Sequence, residues 1–334
     1  MPTDTLNAIE VVKPGLATSV QDAGRHGYYH VGIPPSGALD QFSLRAANLL
    51  VGNDEDAAVL ECTMLGPQLL FRRDALIAVT GAEMAPRIDG AAQPCNVALR
   101  IRAGGTLTFD YVKQGARAYL AVAGGIDVPV VLGSRSTYTL GAIGGHEGRR
   151  LQKGDALPIG AAKRAAREGA ALPDALRTPL AREAELRVLP GLYHHRLTDE
   201  SARTFFEDTW VVAPEADRIG YRYRQGRALR FREREQPFGA GADPSNIVDA
   251  CYPIGSIQVP AGVEPIILHR DAVSGGGYAT IGTVISADLD LIGQMQPNHQ
   301  ARFVAVTMAD ALAARRDAQR RLARLRDALW PHGG

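Results

Sequence analysis

Apolar and polar residues alternate in short runs along most of this chain, and each run is closed by Gly, Pro, Asp or Asn. Residues 7–12 (NAIEVV) read as an opening strand that ends at Pro14-Gly15, and 57–63, 67–71, 75–81, 96–101, 106–111 and 116–127 repeat the pattern. That spacing is strand punctuation for a barrel or sandwich. In the second half, 186–191, 209–226 and the two arms of 256–269 continue it, and within 209–226 the order Tyr221, Arg222, Tyr223, Arg224 has period two, which puts tyrosines on one face and arginines on the other.

Helical periodicity is sparse. Phe42, Leu44, Ala46, Ala47, Leu49 and Leu50 follow it, with Asp40 placed to cap and Gly52 to stop the helix. Thr198 heads a second, short helix over 197–206, and Ala311, Ala314, Ala318, Leu322, Leu325 and Leu329 line one face of a C-terminal amphipathic helix. The fold expectation is therefore mainly β with a few helices.

Composition narrows the function classes. With 334 residues, of which 46% are hydrophobic and 22% charged, the chain is long for one core, and two domains are expected. A net charge of +1 supplies no field for nucleic acid or an anionic membrane, which points to small-molecule or protein partners. Cys62, Cys95 and Cys251 are too scattered for a disulfide framework or a CxxC metal pattern, and the eight histidines carry no HExxH, so no metal is expected. The start lacks signal-peptide character and no eighteen apolar residues run together; the expected location is the cytoplasm. No phosphate loop, strand-linked GxGxxG or G-x-S-x-G elbow is present, nor a lysine-bearing Met pair to carry biotin, so no cofactor is bound by a recognisable motif.

Candidate chemistry concentrates at three places. Residues 13–40 (KPGLATSVQDAGRHGYYHVGIPPSGALD) turn repeatedly at glycine and proline, so they form an ordered loop system rather than one strand or helix. They carry Asp22, Arg25 and Asp40 as acid/base or orienting groups, or alternatively as turn anchors, a surface ion pair and a helix cap. Gly133-Ser134-Arg135-Ser136-Thr137-Tyr138 gathers hydroxyls around a guanidinium, which suits an oxygen-rich ligand, although Arg135 in a structural ion pair reads equally well. Asp217-Arg218-x-Gly220-Tyr221 and Asp271 through Gly275-Gly276-Gly277-Tyr278 again put charge beside glycine and an aromatic ring, either at a close ligand approach or in a tight hairpin.

These same stretches resemble a known family. PG-x-x-TSVQDAGR-x-GY, GIP-x-SGA-x-D, Leu60-Glu61-x-Thr63-x-x-Gly66-Pro67, VLGSRSTY, DRIGYR, IQVP and GGYATIG are similar to the motifs of the carboxyltransferase-domain family from about residue 11 to about residue 305. That family includes the KipI antagonist KipA, the C subunit of bacterial ATP-dependent 5-oxoprolinase, the allophanate hydrolase subunit 2 and the carboxyltransferase part of urea carboxylase. The resemblance implies two cyclophilin-like β-barrel domains facing one another across a cleft, plus the C-terminal helix.

Boundaries are expected at 1–180, 181–307 and 308–330, with the Ala- and Arg-rich 160–182 as linker. The resemblance also implies a hydrolase opening a cyclic amide, with two further subunits of 5-oxoprolinase as partners, one of them KipI-like, and ATP used by the assembled complex. Alternatives are a biotin-dependent carboxyltransferase acting on urea or a related amide, with biotin delivered from another chain, and a regulatory protein that sequesters a KipI-like partner. Expected catalytic residues are Asp22, Arg25, Asp40 and Asp271; expected substrate-binding residues are Ser134, Arg135, Tyr138, Arg218, Tyr221, Gly276, Gly277 and Tyr278.

Overall fold

A computed structural model describes residues 8–330, so the first seven residues, including the start of the strand read at residue 7, lie outside the described part. The described residues are mainly strands with four α-helices: α1 (Gln41–Leu50), α2 (Asp199–Glu207), α3 (Leu289–Gly293) and α4 (Met308–Leu329). Two compact units emerge. The first holds the chain up to His26, Ser36–Leu180 and the residues from Arg320 on; the second holds Gly27–Pro35 and Ala181–Gln319.

In the first unit two sheets share one core. Ile9–Lys13, Gln68–Phe71 and Thr106–Phe109 run through the middle of a six-stranded sheet, and Ala17–Gln21, Val59–Thr63, Gln114–Val122, Ala75–Glu83 and Ala98–Ile101 follow in that order in a five-stranded one. Val11, Leu69, Phe71 and Leu107 from the first sheet meet Val20, Leu60, Val79 and Leu120 from the second. The strand Gln114–Val122 shows why it reads as one apolar run: Leu120 enters that core, while Tyr119 and Ala121 point to the opposite face, where Leu44, Ala47 and Leu50 of α1 cover them. Leu325 of α4 completes this second layer.

The second unit closes a barrel of seven strands, ordered Glu183–Pro190, Thr280–Val284, Ser256–Gln258, Ile266–Leu268, Gly220–Arg224, Trp210–Val212 and Gln300–Ala305. Parallel pairing of the first with the last, Leu186 opposite Phe303, shuts the ring and removes both free edges. Phe303 stacks on Phe205 of α2 at 4.6 Å and meets the edge of Tyr223 at 5.6 Å between ring centroids.

Three local readings change. Within 13–40 a strand, Ala17–Gln21, precedes the turns, and Gly27–Pro35 belongs with the second unit. The segment read as a linker packs on the first unit: Val97 bridges Ala171, and Leu172 and Leu176 are buried. Gly275–Tyr278 is not a hairpin tip but a strand paired with Asn246–Cys251, where a side chain on Gly276 would come within 3.1 Å of the Tyr252 ring.

Candidate functional site

The strand Ala17–Gln21 ends by delivering Asp22 to the loop 133–138. The Asp22 carboxylate accepts from Ser134 Oγ at 2.7 Å, Ser136 Oγ at 2.5 Å, the Gly24 amide at 2.8 Å and the Arg135 amide at 2.5 Å. Arg25, buried beside it, donates to the carbonyls of Val131 at 3.0 Å and Ser136 at 2.9 Å, and so ties both ends of the same loop. Four residues chosen from sequence, Asp22, Arg25, Ser134 and Arg135, therefore do come together. Asp22, however, has its lone pairs filled by four donors and works as an anchor rather than as an open acid or base.

Arg135 leans over a cavity of about 580 Å³ whose walls include Asp22, Ser134, Asp54 and Lys163. Its Nη2 donates to Asp127 at 2.6 Å and its Nε to the Val128 carbonyl at 2.7 Å. Tyr138 is not a wall of that cavity. Its backbone pairs with Ile143, and a side chain on Gly141 would come within 2.7 Å of its ring. Asp40 takes the capping alternative, accepting from the Ser43 amide at 2.9 Å and the Ser43 hydroxyl at 2.6 Å at the head of α1. Its expected acid/base role gives way for that reason.

In the second unit, Asp271 is gripped by the Arg218 fork, Nε at 2.7 Å and Nη2 at 3.2 Å, and the pair is mostly buried. Tyr29 lies near the same charges. Burial raises its hydroxyl above the ordinary tyrosine value, with Arg270 pulling it down and Asp271 pushing it up. Tyr221 is buried with its ring 6.1 Å from that of His269, which removes it from ligand contact.

A cavity of about 880 Å³ opens on the outer wall of the barrel. The alternation of Gly220–Arg224 shapes it: Tyr221 and Tyr223 are buried, while Arg222 and Arg224 line the cavity with Gln258, Glu264 and Tyr278. Tyr278 is thus an expected binding residue that reaches this cavity, and Gly276 and Gly277 carry it there on their strand. The Tyr252 hydroxyl donates to the Tyr278 carbonyl at 2.9 Å and accepts from its amide at 2.7 Å, which fixes that strand end. Ser136, Arg222, Arg224 and Gln258 lie within the motifs singled out in sequence but are not among the expected site residues. The period-two signal at 221–224 was visible and would have found the arginines. Among the described residues no cluster of three or more His, Cys, Asp or Glu is placed for a metal ion, and no helix is long and apolar enough to cross a membrane.

Comparison with known proteins places this arrangement. The family described as carboxyltransferase domain, subdomain A and B, matches residues 31–305. The chain belongs to that family. It is 39% identical over 312 residues to the C subunit of the Escherichia coli 5-oxoprolinase, covering 93% of this chain and 96% of that one. It is 35% identical over 308 residues to the urea amidolyase of Saccharomyces cerevisiae, covering 90% of this chain and 17% of that one. The crystal structure of the Kluyveromyces lactis urea amidolyase superposes with a TM-score of 0.90 at 34% identity, covering 96% of this carboxyltransferase-family chain and 20% of the larger one. These relatives are enzymes or named enzyme subunits.

Proposed function

We propose that this chain is the C subunit of an ATP-dependent 5-oxoprolinase, which opens 5-oxo-L-proline to L-glutamate together with two partner subunits, one of them KipI-like. The observation that carries this reading is the 39% identity to a 5-oxoprolinase C subunit, spread over 93% of this chain and 96% of that relative. ATP is used by the assembled complex. The substrate is a small cyclic amide, and the chain's task is to bind and orient it.

Within that reading the loop 133–138 supplies one binding wall. Arg135 offers a guanidinium to an oxygen acceptor in the first unit's cavity, and Asp22, Arg25 and Ser134 hold the peptide that carries it. In the second unit, Asp271 and Arg218 fix the turn before the Gly275–Tyr278 strand, which carries Tyr278 to that unit's own cavity. A second reading, a carboxyltransferase acting on urea or a related amide with biotin delivered from another chain, is supported by the 0.90 TM-score against a urea amidolyase.

Arg135→Ala tests the site directly. The Arg135–Asp127 pair is 35% and 51% exposed, so its loss costs about 0–1 kcal/mol of stability at most. The expected result is a folded protein whose complex releases glutamate at least about tenfold more slowly. A near-normal rate removes Arg135 from the site.

A further inference from the structure

The outer-barrel cavity holds charge that the protein itself leaves uncommitted. Several arginines elsewhere are spent on carboxylates: Arg87 on Asp110, Arg149 on Asp155, Arg187 on Asp288, Arg218 on Asp271 and Arg227 on Asp208. The Arg222 guanidinium, by contrast, makes no hydrogen bond or ion pair among the described residues, although its backbone carbonyl accepts from Ala213. Arg224 reaches only Asn298, at 3.3 Å, and its Nε is buried with no acceptor. A buried donor left without a partner is destabilising, so an orphan guanidinium nitrogen at a cavity wall suits an acceptor from outside.

The geometry favours a bidentate anion. Arg222 and Arg224 are two residues apart on one strand, hence on one face and roughly 7 Å apart at their backbones. Two guanidiniums on long stems at that spacing can converge on one carboxylate. The same cavity is also lined by Glu215 and Glu264, which have no hydrogen-bond or ion-pair partner among the described residues. Two free cations beside two free carboxylates do not suit a simple anion; they suit a molecule that brings a carboxylate and an N–H together. Gln258, nearly buried against the Tyr252 hydroxyl that also fixes Tyr278, supplies a preorganised amide to the same cavity.

We propose that this cavity binds a small carboxylate-bearing amide or amino acid, with its carboxylate on Arg222 and Arg224 and its N–H on Glu264. The choice of 5-oxo-L-proline and L-glutamate as probes rests on the oxoprolinase reading. Urea has no carboxylate and offers the arginine pair one neutral carbonyl oxygen in place of two charged ones.

Isothermal titration of the full chain with 5-oxo-L-proline, L-glutamate, 2-pyrrolidinone and urea tests this. Expected is saturable binding of 5-oxo-L-proline, L-glutamate or both, the two arms showing whether the lactam or the amino acid is preferred. Binding of 2-pyrrolidinone, the same lactam without its carboxylate, and of urea should be at least about tenfold weaker. Arg222→Ala combined with Arg224→Ala, and Arg222→Gln alone, should each weaken carboxylate binding at least about tenfold at unchanged melting temperature. Because Arg222 is exposed, the single variant keeps the test valid if the double one unfolds.

Binding unaffected by Arg222→Gln and the double variant, or no saturable binding of either carboxylate by the chain or its complex, overturns the inference. Glutamate formation at unchanged KM by an Arg222→Ala, Arg224→Ala complex overturns the cavity and leaves the oxoprolinase reading standing. Carboxylate binding by a complete complex that forms no glutamate does the reverse.

Discussion

Asp22 shows how much of a residue's surroundings a local pattern leaves out. Its position between Gln21 and a glycine-rich turn singled it out, but sequence could not reveal that Ser134, Ser136 and the Arg135 amide, more than a hundred residues away, converge on it. Asp22→Ala leaves two backbone amides and two buried hydroxyls without their acceptor, and the expected destabilisation is about 2–4 kcal/mol in denaturant titration. Asp22→Asn keeps one acceptor oxygen and should cost less. If Asp22→Ala is as stable as the parent, the anchoring role is wrong. The alternation of Arg222 and Arg224 with Tyr221 and Tyr223 is legible in sequence, and it is the Tyr221 ring that the barrel buries.

At the scale of elements, caps and periodicities were legible because they are local. Asp40 before α1 and Thr198 before α2 both accept the expected amide, from Ser43 and Ser201 respectively. The C-terminal stripe was also right in kind. Leu325 is buried, Leu322 and Leu329 pack against the same cluster, and Arg321 lies 3.6 Å over the Phe42 ring while donating to the Leu176 carbonyl. Ala318 is exposed, however, so the stripe's middle covers nothing.

Leu325→Ala should cost about 2–4 kcal/mol, read as a loss of stability in denaturant titration, because it opens a hole under α1. A change smaller than about 0.5 kcal/mol would mean that the end of α4 is not docked in solution. What the elements did not disclose was partnership. Glycine and proline mark where Gly27–Pro35 turns, but not the core on which it packs, and three glycines at 275–277 read as a loop although they lie in a strand.

For the whole molecule, the strand-rich class followed from turn spacing, whereas barrel closure did not. It depends on Glu183–Pro190 pairing in parallel with Gln300–Ala305, a contact that no local pattern encodes. The barrel unit also sets a pH dependence. Burial lowers the pKa of His194 and of His299 below the ordinary value, with Arg182 adding to the effect at His299.

The unfolded chain therefore takes up protons first as pH falls below about 6.5, and the stability present above that value is lost as pH drops toward the folded pKa values. Melting temperature should decline from about pH 7.5 to about pH 5.5, and less steeply when His194→Gln and His299→Gln are combined. A slope unchanged in that variant contradicts the assignment.

The family and its fold are established by a match over residues 31–305; the reaction is the claim that most needs a direct measurement. Glutamate release from 5-oxo-L-proline and ATP should be followed with this chain and its two presumed partner subunits mixed, and with each omitted in turn. Glutamate that forms only when all three are present is the predicted result. A folded, complete mixture that forms none, yet transfers carboxyl from carboxybiotin to urea, would contradict the account.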